Sequence, residues 1–224
     1  MIVRVLEAVQ HALGEVEVVV AVDDERVAMA VEKHGASAVM TSPLCESGTD
    51  RVAEVARERG WSMDDIVINV QGDEPLIPGD LVLAFAEYCR TREGFSMGTV
   101  SVPITSPAEI ADPNVVKVMV RKDESAMTFS RSVIPFDRDR QFEGSVPTSY
   151  RRHLGIYAYR NDALQKLTNT PPCEYERIER LEQLRALWLG IPIHVMAWDS
   201  APPGGIDTDE DVERVRAHLA GSLR

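Results

Sequence analysis

Basic residues are in short supply in this chain: 24 lysines and arginines stand against 36 aspartates and glutamates in 224 residues, a formal net charge of −12. So acidic a surface repels phosphate backbones, which argues against nucleic acid as a partner and leaves room only for a local basic pocket that holds a small anion. Cysteine is scarce too. Cys45, Cys89 and Cys173 are odd in number and widely spaced, which excludes paired metal or redox motifs and fits free thiols in a reducing cytoplasm. Long apolar runs are missing: a stretch such as Val16 to Val22 is far too short to span a bilayer. The first residues lack the basic start, apolar centre and small-residue cleavage site of a secretory signal. A cytoplasmic protein with no membrane partner is the expectation. No glycine-rich phosphate loop, internal repeat or low-complexity tract is found either.

What is present is enough to build a sizeable core, with 44% apolar and 27% charged residues. Helical spacing of Ile2, Val5, Leu6, Val9 and Leu13 predicts a helix over Met1 to Leu13. The β-branched run Val16 to Val22 reads as a parallel strand covered on both faces, and Asp24 is placed to cap a helix from Glu25 to His34. A short strand at Ser37 to Met40, a helix at Thr49 to Arg59, a strand at Asp65 to Val70 and a helix at Asp80 to Arg90 continue the alternation. This β-α-β order predicts an α/β fold with a doubly wound, mostly parallel sheet, whose ligands bind at the carboxyl ends of the strands. Strands are expected at Phe95 to Pro103, Val115 to Arg121, Ala126 to Arg131, Arg151 to Arg160 and Ile191 to Trp198. Helices are expected at Glu174 to Leu189 and Asp207 to Leu219. One continuous domain over residues 1–224, with a β-rich extension near residues 95–150, is the predicted organisation.

Several segments carry chemistry as well as structure. Gln71-Gly72-Asp73-Glu74-Pro75 follows a buried strand, so Asp73 projects at the sheet rim as a hard oxygen ligand suited to Mg²⁺, although Gly-Asp-Glu-Pro is equally ordinary turn chemistry. Near the C-terminus, Asp207 in Gly205-Ile206-Asp207-Thr208 is either a helix cap or a second metal ligand that requires Asp73 nearby. Ser47-Gly48-Thr49 opens a helix whose N–H groups suit a nucleobase carbonyl or a phosphate, or simply need a cap. Arg131, Arg138 and Arg140 keep basic charge together in an acidic chain, as forked recognition of a carboxylate or phosphate requires, and as a solvated loop also permits. His153 and Tyr157 share one face of a strand. Glu182 and Gln183 lie on a helix beside Leu181 and Leu184, facing a pocket or solvent.

The wording and order of these segments together resemble the CMP-Kdo synthetases, the 3-deoxy-manno-octulosonate cytidylyltransferases of Gram-negative bacteria. The matching stretches are Ala21 to Val27, Ser47 to Arg51, Asn69 to Pro75, Pro113 to Val118, Phe129-Ser130-Arg131, Arg152 to Tyr157, Leu181 to Arg185 and Gly205 to Thr208. The likeness runs from Met1 to the final helix, and the sialic acid cytidylyltransferases are a poorer match in the second half. The resemblance implies a nucleotide-diphospho-sugar transferase-like (Rossmann-like) fold and a reaction in which the anomeric hydroxyl of Kdo attacks the α-phosphorus of CTP. CMP-Kdo for lipopolysaccharide would form and pyrophosphate would leave. By the family pattern, Asp73 and Asp207 would hold Mg²⁺. Arg131, Arg138, His153, Tyr157, Glu182 and Gln183 would hold Kdo. Ser47, Gly48 and Thr49, within the segment Thr41 to Thr49, and the strand end at Gln71 would contact the cytidine. A homodimer built partly through the β-rich extension carries over in the same way.

The chain departs from the family in two places. Family members open with a strand and a loop bearing Pro-Ala-Arg, then a serine, a second arginine and a Lys-Pro step, whereas Met1 falls where their first helix starts. Without those cationic contacts, CTP binding and transition-state stabilisation are expected to weaken together, which leaves open a catalytically impaired paralogue that binds a sugar or a partner. Another 2-keto sugar acid, such as a sialic acid, is open as well. Thr128 stands where the family commonly has an aromatic residue. If the two aspartates act as the resemblance implies, Asp73→Asn and Asp207→Asn each abolish pyrophosphate release from CTP plus Kdo while leaving the circular dichroism spectrum intact. Undiminished turnover in either variant removes that residue from the role.

Overall fold

The computed structural model of the chain describes residues 1–140, 145–206 and 208–221. Helix α1 (Ile2–Leu13) buries Val5, Leu6 and Val9 along one stripe and stops at Gly14, whose φ of 63° suits a residue without a Cβ. Strand β1 (Val19–Val22) is shorter than the apolar run predicts, because Val16 lies on the surface. Helix α2 (Glu25–Glu32) starts where expected, since the Asp24 carboxylate accepts the Arg26 N–H at 2.8 Å. It leads to β2 (Ser37–Met40), which pairs in parallel with β1 from Val19 opposite Ser37 to Val22 opposite Met40. Helix α3 (Gly48–Glu58) opens with a reciprocal capping box between Ser47 and Asp50.

Strand β3 (Ile66–Asn69) follows, then helix α4 (Gly79–Thr91) and the buried strand β4 (Met97–Pro103). A short helix α5 (Pro107–Ala111), with proline in its first turn, precedes β5 (Lys117–Val120), β6 (Ala126–Ser130) and β7 (Arg151–Arg160). Helix α6 (Asn161–Thr168) comes directly after β7. The helix expected over Glu174 to Leu189 is two helices, α7 (Glu174–Glu179) and α8 (Gln183–Trp188). They are separated at Arg180, which adopts the left-handed conformation with φ of 53°. Strand β8 (Ile193–Ala197) and helix α9 (Asp209–Gly221) complete the chain.

These elements form an α/β fold, as expected. They divide into two compact units. The first comprises Met1–Gly60, Asn69–Ala86 and the segment that begins at Pro202, and it contains the parallel pair β1–β2. Within it α1 packs closely on the segment after β3: a Cβ at Gly72 would stand 3.1 Å from the Ile2 side chain, and one at Gly79 3.4 Å from the Ala8 carbonyl.

The second unit, Trp61–Ile68 and Glu87–Ala201, is built on a sheet in the order β6-β5-β7-β4-β8, with β3 pairing β7. The pairing is mixed. Strand β4 runs parallel to β8, while β4–β7, β5–β6 and β5–β7 are antiparallel. A bulge between Thr99 and Val100 shifts the register against β7, so that Thr99 lies opposite Tyr157 and Ser101 opposite His153. Every residue of β4 from Met97 to Val102 is buried. Gly98 is there for space, because a Cβ would approach the Phe95 ring to 2.9 Å and the Cys89 sulfur to 3.3 Å, and both side chains are buried. Gly98→Ala should therefore overpack the sheet and lower unfolding free energy by about 1–3 kcal/mol, read from urea titration. An unchanged midpoint would show that Phe95 has room to move.

Candidate active site

In the first unit, the turn carrying Asp73 is bonded to the segment that leads to Asp207. The Asp73 carbonyl accepts the Ile206 N–H at 2.9 Å, and a Cβ at Gly205 would lie 2.9 Å from that same oxygen. Only glycine allows so close a backbone approach. The turn itself is held by the Glu74 N–H on the Gln71 carbonyl at 3.3 Å, with the Gln71 side chain exposed. Asp207 lies outside the described residues. Among the described residues no group of three His, Cys, Asp or Glu side chains is placed to hold a metal.

The loop before α3 belongs to the same unit and is tied down by charged side chains. The Arg51 guanidinium donates to Thr41 Oγ1 at 2.8 Å and to Asp23 Oδ2 at 2.5 Å. The Thr41 hydroxyl in turn donates to the Val22 carbonyl at 3.0 Å. The Glu54 carboxylate accepts the Ser42 N–H at 2.9 Å and the Cys45 thiol at 3.0 Å. Desolvation, then the neighbouring Glu54, pushes the Cys45 thiol up to about 11. Ser47 caps α3, Thr49 is buried and a Cβ at Gly48 would meet open space. Capping and an accessible helix start thus coexist at these three positions.

In the second unit, three of the expected sugar-binding residues come together. The His153 ring meets Phe129 edge-on at 5.1 Å between centroids and Tyr157 at 5.3 Å. The Tyr157 hydroxyl feels the negative charge of Glu182, and Gln183 follows at the start of α8. Thr99 orients the histidine. Its hydroxyl has one proton and two carbonyls to give it to, Ile156 at 2.8 Å and Leu154 at 3.1 Å, so it receives the His153 Nε2–H at 3.0 Å. His153 Nδ1 is then an acceptor with no partner among the described residues. Burial pulls the imidazole down to about 3. Burial, with help from Tyr159 and Glu182, raises Tyr157 well above the ordinary phenol value, so its hydroxyl remains a donor. Gln183 is buried, and its Nε2 has no hydrogen-bond partner among the described residues. An unmet donor of that kind is costly unless something else meets it.

Arg131 and Arg138 part company. Arg131 follows β6 with its Nε on the Glu179 carbonyl at 2.8 Å and its Nη1 on the Pro113 carbonyl at 3.0 Å, which leaves Nη2 without a hydrogen bond among the described residues. Arg138 is exposed and pairs with its neighbour Asp139 at 2.9 Å; the described contacts do not join it to the others. The residues that sequence reasoning missed are those that hold the site. Lys117 is fully buried, with Nζ on the carbonyls of Val115 and Arg131, both at 2.6 Å, and of Asp112 at 2.9 Å. Arg185 is buried against both Glu176 oxygens at 2.9 Å, Glu182 at 3.2 Å and the Thr170 carbonyl at 2.7 Å. The available signal was a charged residue inside an apolar strand or on the apolar side of a helix.

The cytidylyltransferase family model matches residues 1–193. The chain is 54% identical over 220 residues to the 3-deoxy-manno-octulosonate cytidylyltransferase 2 of Paraburkholderia phytofirmans, covering 98% of this chain and 84% of that one. It is 46% identical to the 3-deoxy-manno-octulosonate cytidylyltransferase of Methylococcus capsulatus, over 99% of this chain and 87% of the relative. The chain belongs to the 3-deoxy-manno-octulosonate cytidylyltransferase family. Among solved structures, a CMP:2-keto-3-deoxy-manno-octonic acid synthetase complexed with CTP superposes with a TM-score of 0.89 at 40% identity, over 99% of this chain and 88% of that one. Among the described residues no helix is long and apolar enough to cross a membrane.

The histidine's environment gives this family member a measurable pH signature. A folded-state value near 3 against an ordinary 6.5 means that the unfolded chain binds the extra proton between those limits. This contribution to stability is complete above about pH 6.5 and is lost as pH falls toward 3. His153→Gln should flatten the pH dependence of unfolding free energy between pH 6.5 and 4 relative to the unsubstituted chain. Parallel slopes would show that His153 protonates freely in the fold.

Proposed function

We propose that this chain transfers the cytidylyl group of CTP to Kdo, giving CMP-Kdo and pyrophosphate for lipopolysaccharide. The observation that carries the reading is the set of unspent polar groups around β7 and α8: the acceptor His153 Nδ1, the donors Tyr157 hydroxyl and Gln183 Nε2, and the Arg131 Nη2. A neutral acceptor, neutral donors and one fixed cation suit an acidic polyhydroxy sugar, whose carboxylate takes the guanidinium and whose hydroxyls take the rest. Because His153 stays neutral at working pH, it recognises a hydroxyl proton and adds no second positive charge. The relatives named as 3-deoxy-manno-octulosonate cytidylyltransferases and the neighbour complexed with CTP support the same assignment.

In the reaction a bond forms from the anomeric oxygen of the sugar to the α-phosphorus, the bond to the β-phosphate breaks, pyrophosphate departs and the hydroxyl proton passes to water. Catalysis of this type is mainly positioning and charge neutralisation. The loop Thr41 to Ser47, fixed through Arg51 and Glu54, and the strand end at Gln71 are assigned to cytidine. Asp73 supplies the hard oxygen donor that suits Mg²⁺, and Asp207 is assigned as its companion, one residue beyond the Ile206 N–H that the Asp73 carbonyl accepts. The metal, when bound, would neutralise phosphate charge and make the sugar hydroxyl more acidic. Residence in the cytoplasm and a homodimer complete the assignment.

Pyrophosphate release with CTP and Kdo, with Mg²⁺ titrated and with a sialic acid in parallel, tests the reading. Release that depends on Kdo and Mg²⁺ is expected, with Gln183→Leu raising KM for Kdo on the order of tenfold, as for loss of a hydrogen bond in a polar pocket. Turnover with sialic acid alone, or none with either sugar, overturns it.

A further inference from the structure

Glu179 is the last residue of α7 and lies in none of the segments that pointed to a site. A carboxylate at a helix C-terminus meets the wrong end of the helix dipole, so its retention there depends on contacts elsewhere. Those contacts all go to one place. Oε1 accepts the Ser130 hydroxyl at 2.7 Å, Oε2 accepts the Arg131 N–H at 2.9 Å, and the Glu179 carbonyl accepts Arg131 Nε at 2.8 Å. From the other side, Lys117 Nζ donates to the Arg131 carbonyl at 2.6 Å. The N–H, the carbonyl and the guanidinium of Arg131 are therefore each fixed by a residue distant in sequence. One residue beyond Glu179, Arg180 turns the chain through a left-handed conformation, and Leu181, Glu182 and Gln183 follow at once.

We propose that Glu179 is a positioning residue for the sugar-binding site, clamping the strand end that bears Arg131 to the helix junction that bears Glu182 and Gln183. The inference rests on assigning those three residues to Kdo. It adds that their spacing is set by one residue, whose carboxylate holds the strand end at Ser130 and Arg131 and touches no substrate itself. With the clamp in place, the carboxylate-binding guanidinium and the hydroxyl-binding groups stand at a fixed separation before the sugar arrives, and binding free energy is not spent on bringing them together.

The experiment compares steady-state kinetics of Glu179→Ala, Glu179→Gln and Arg131→Ala in the full chain, with CTP and Kdo varied in turn. Glu179→Ala should raise KM for Kdo on the order of tenfold, and Glu179→Gln, which keeps one acceptor, by about threefold, with KM for CTP within about twofold. A purely structural role would instead move both KM values or only the melting temperature. An unchanged KM for Kdo in a folded Glu179→Ala overturns the proposal. If that variant does not fold, the same criterion applies to Glu179→Gln. A raised KM for Kdo in Arg131→Ala with none in the Glu179 variants sinks the clamp and leaves the sugar site standing. No Kdo-dependent turnover in the unsubstituted chain sinks both.

Discussion

A charge taken out of water has to be met, and at the end of β6 one such charge is met in full. Lys117 has no exposed surface, and its three donors go to three backbone carbonyls. An ammonium saturated in this way stays in the interior without a carboxylate partner. The constraint reaches outward. It pins the loop from Asp112 to Val115 beneath the Arg131 guanidinium, which bonds the Pro113 carbonyl of that same loop, and it fixes the strand end on which the guanidinium depends. Arg185 does the comparable work for α7 and α8, holding Glu176 and Glu182 on one nitrogen and the carbonyls of Leu167 and Thr170, at the end of α6, on the other. The second unit thus sets two buried cations, Lys117 and Arg185, behind its neutral polar groups.

Much of this was legible in residues. The limits of β7 and the Asp24 cap could be read directly, because strand alternation and capping are local rules. The family resemblance came from the segments that carry chemistry. The break between α7 and α8 was not legible. Arg180 takes up a left-handed conformation that sequence signals only through glycine or asparagine, and the contacts that hold Glu179 come from β6. Helix α6 gave no warning because it starts directly after a strand and is anchored by Asn161 bonding the Trp61 and Ser62 carbonyls, about a hundred residues earlier. Arg131 and Arg138 looked equivalent as basic residues near a strand end. Only the fold separates the one clamped by backbone carbonyls from the one paired with its neighbour.

The two units solve the problem of presenting polar groups in different ways. Around β7 the groups with spare hydrogen-bonding capacity are mostly neutral, with Thr99 orienting the histidine and the buried Lys117 and Arg185 holding their neighbours. Around the loop before α3 the charges are at the surface, and they fix backbone positions through Thr41 and Ser42. The first arrangement keeps hydrogen-bonding capacity spare, which suits a hydroxylated ligand. The second holds the main-chain groups of a loop at fixed positions.

The bond from the Cys45 thiol to Glu54 has a further consequence, which concerns chemical durability. Attack on an oxidant or an alkylating agent requires the thiolate. A sulfur whose proton is given to a carboxylate, and whose ionisation is displaced to about 11, holds almost no thiolate at neutral pH. Accessibility and reactivity are therefore uncoupled at this position. Cys45 sits on a partly open loop and is nonetheless a quiet thiol, so the loop can carry a sulfur without becoming the place where oxidative damage begins.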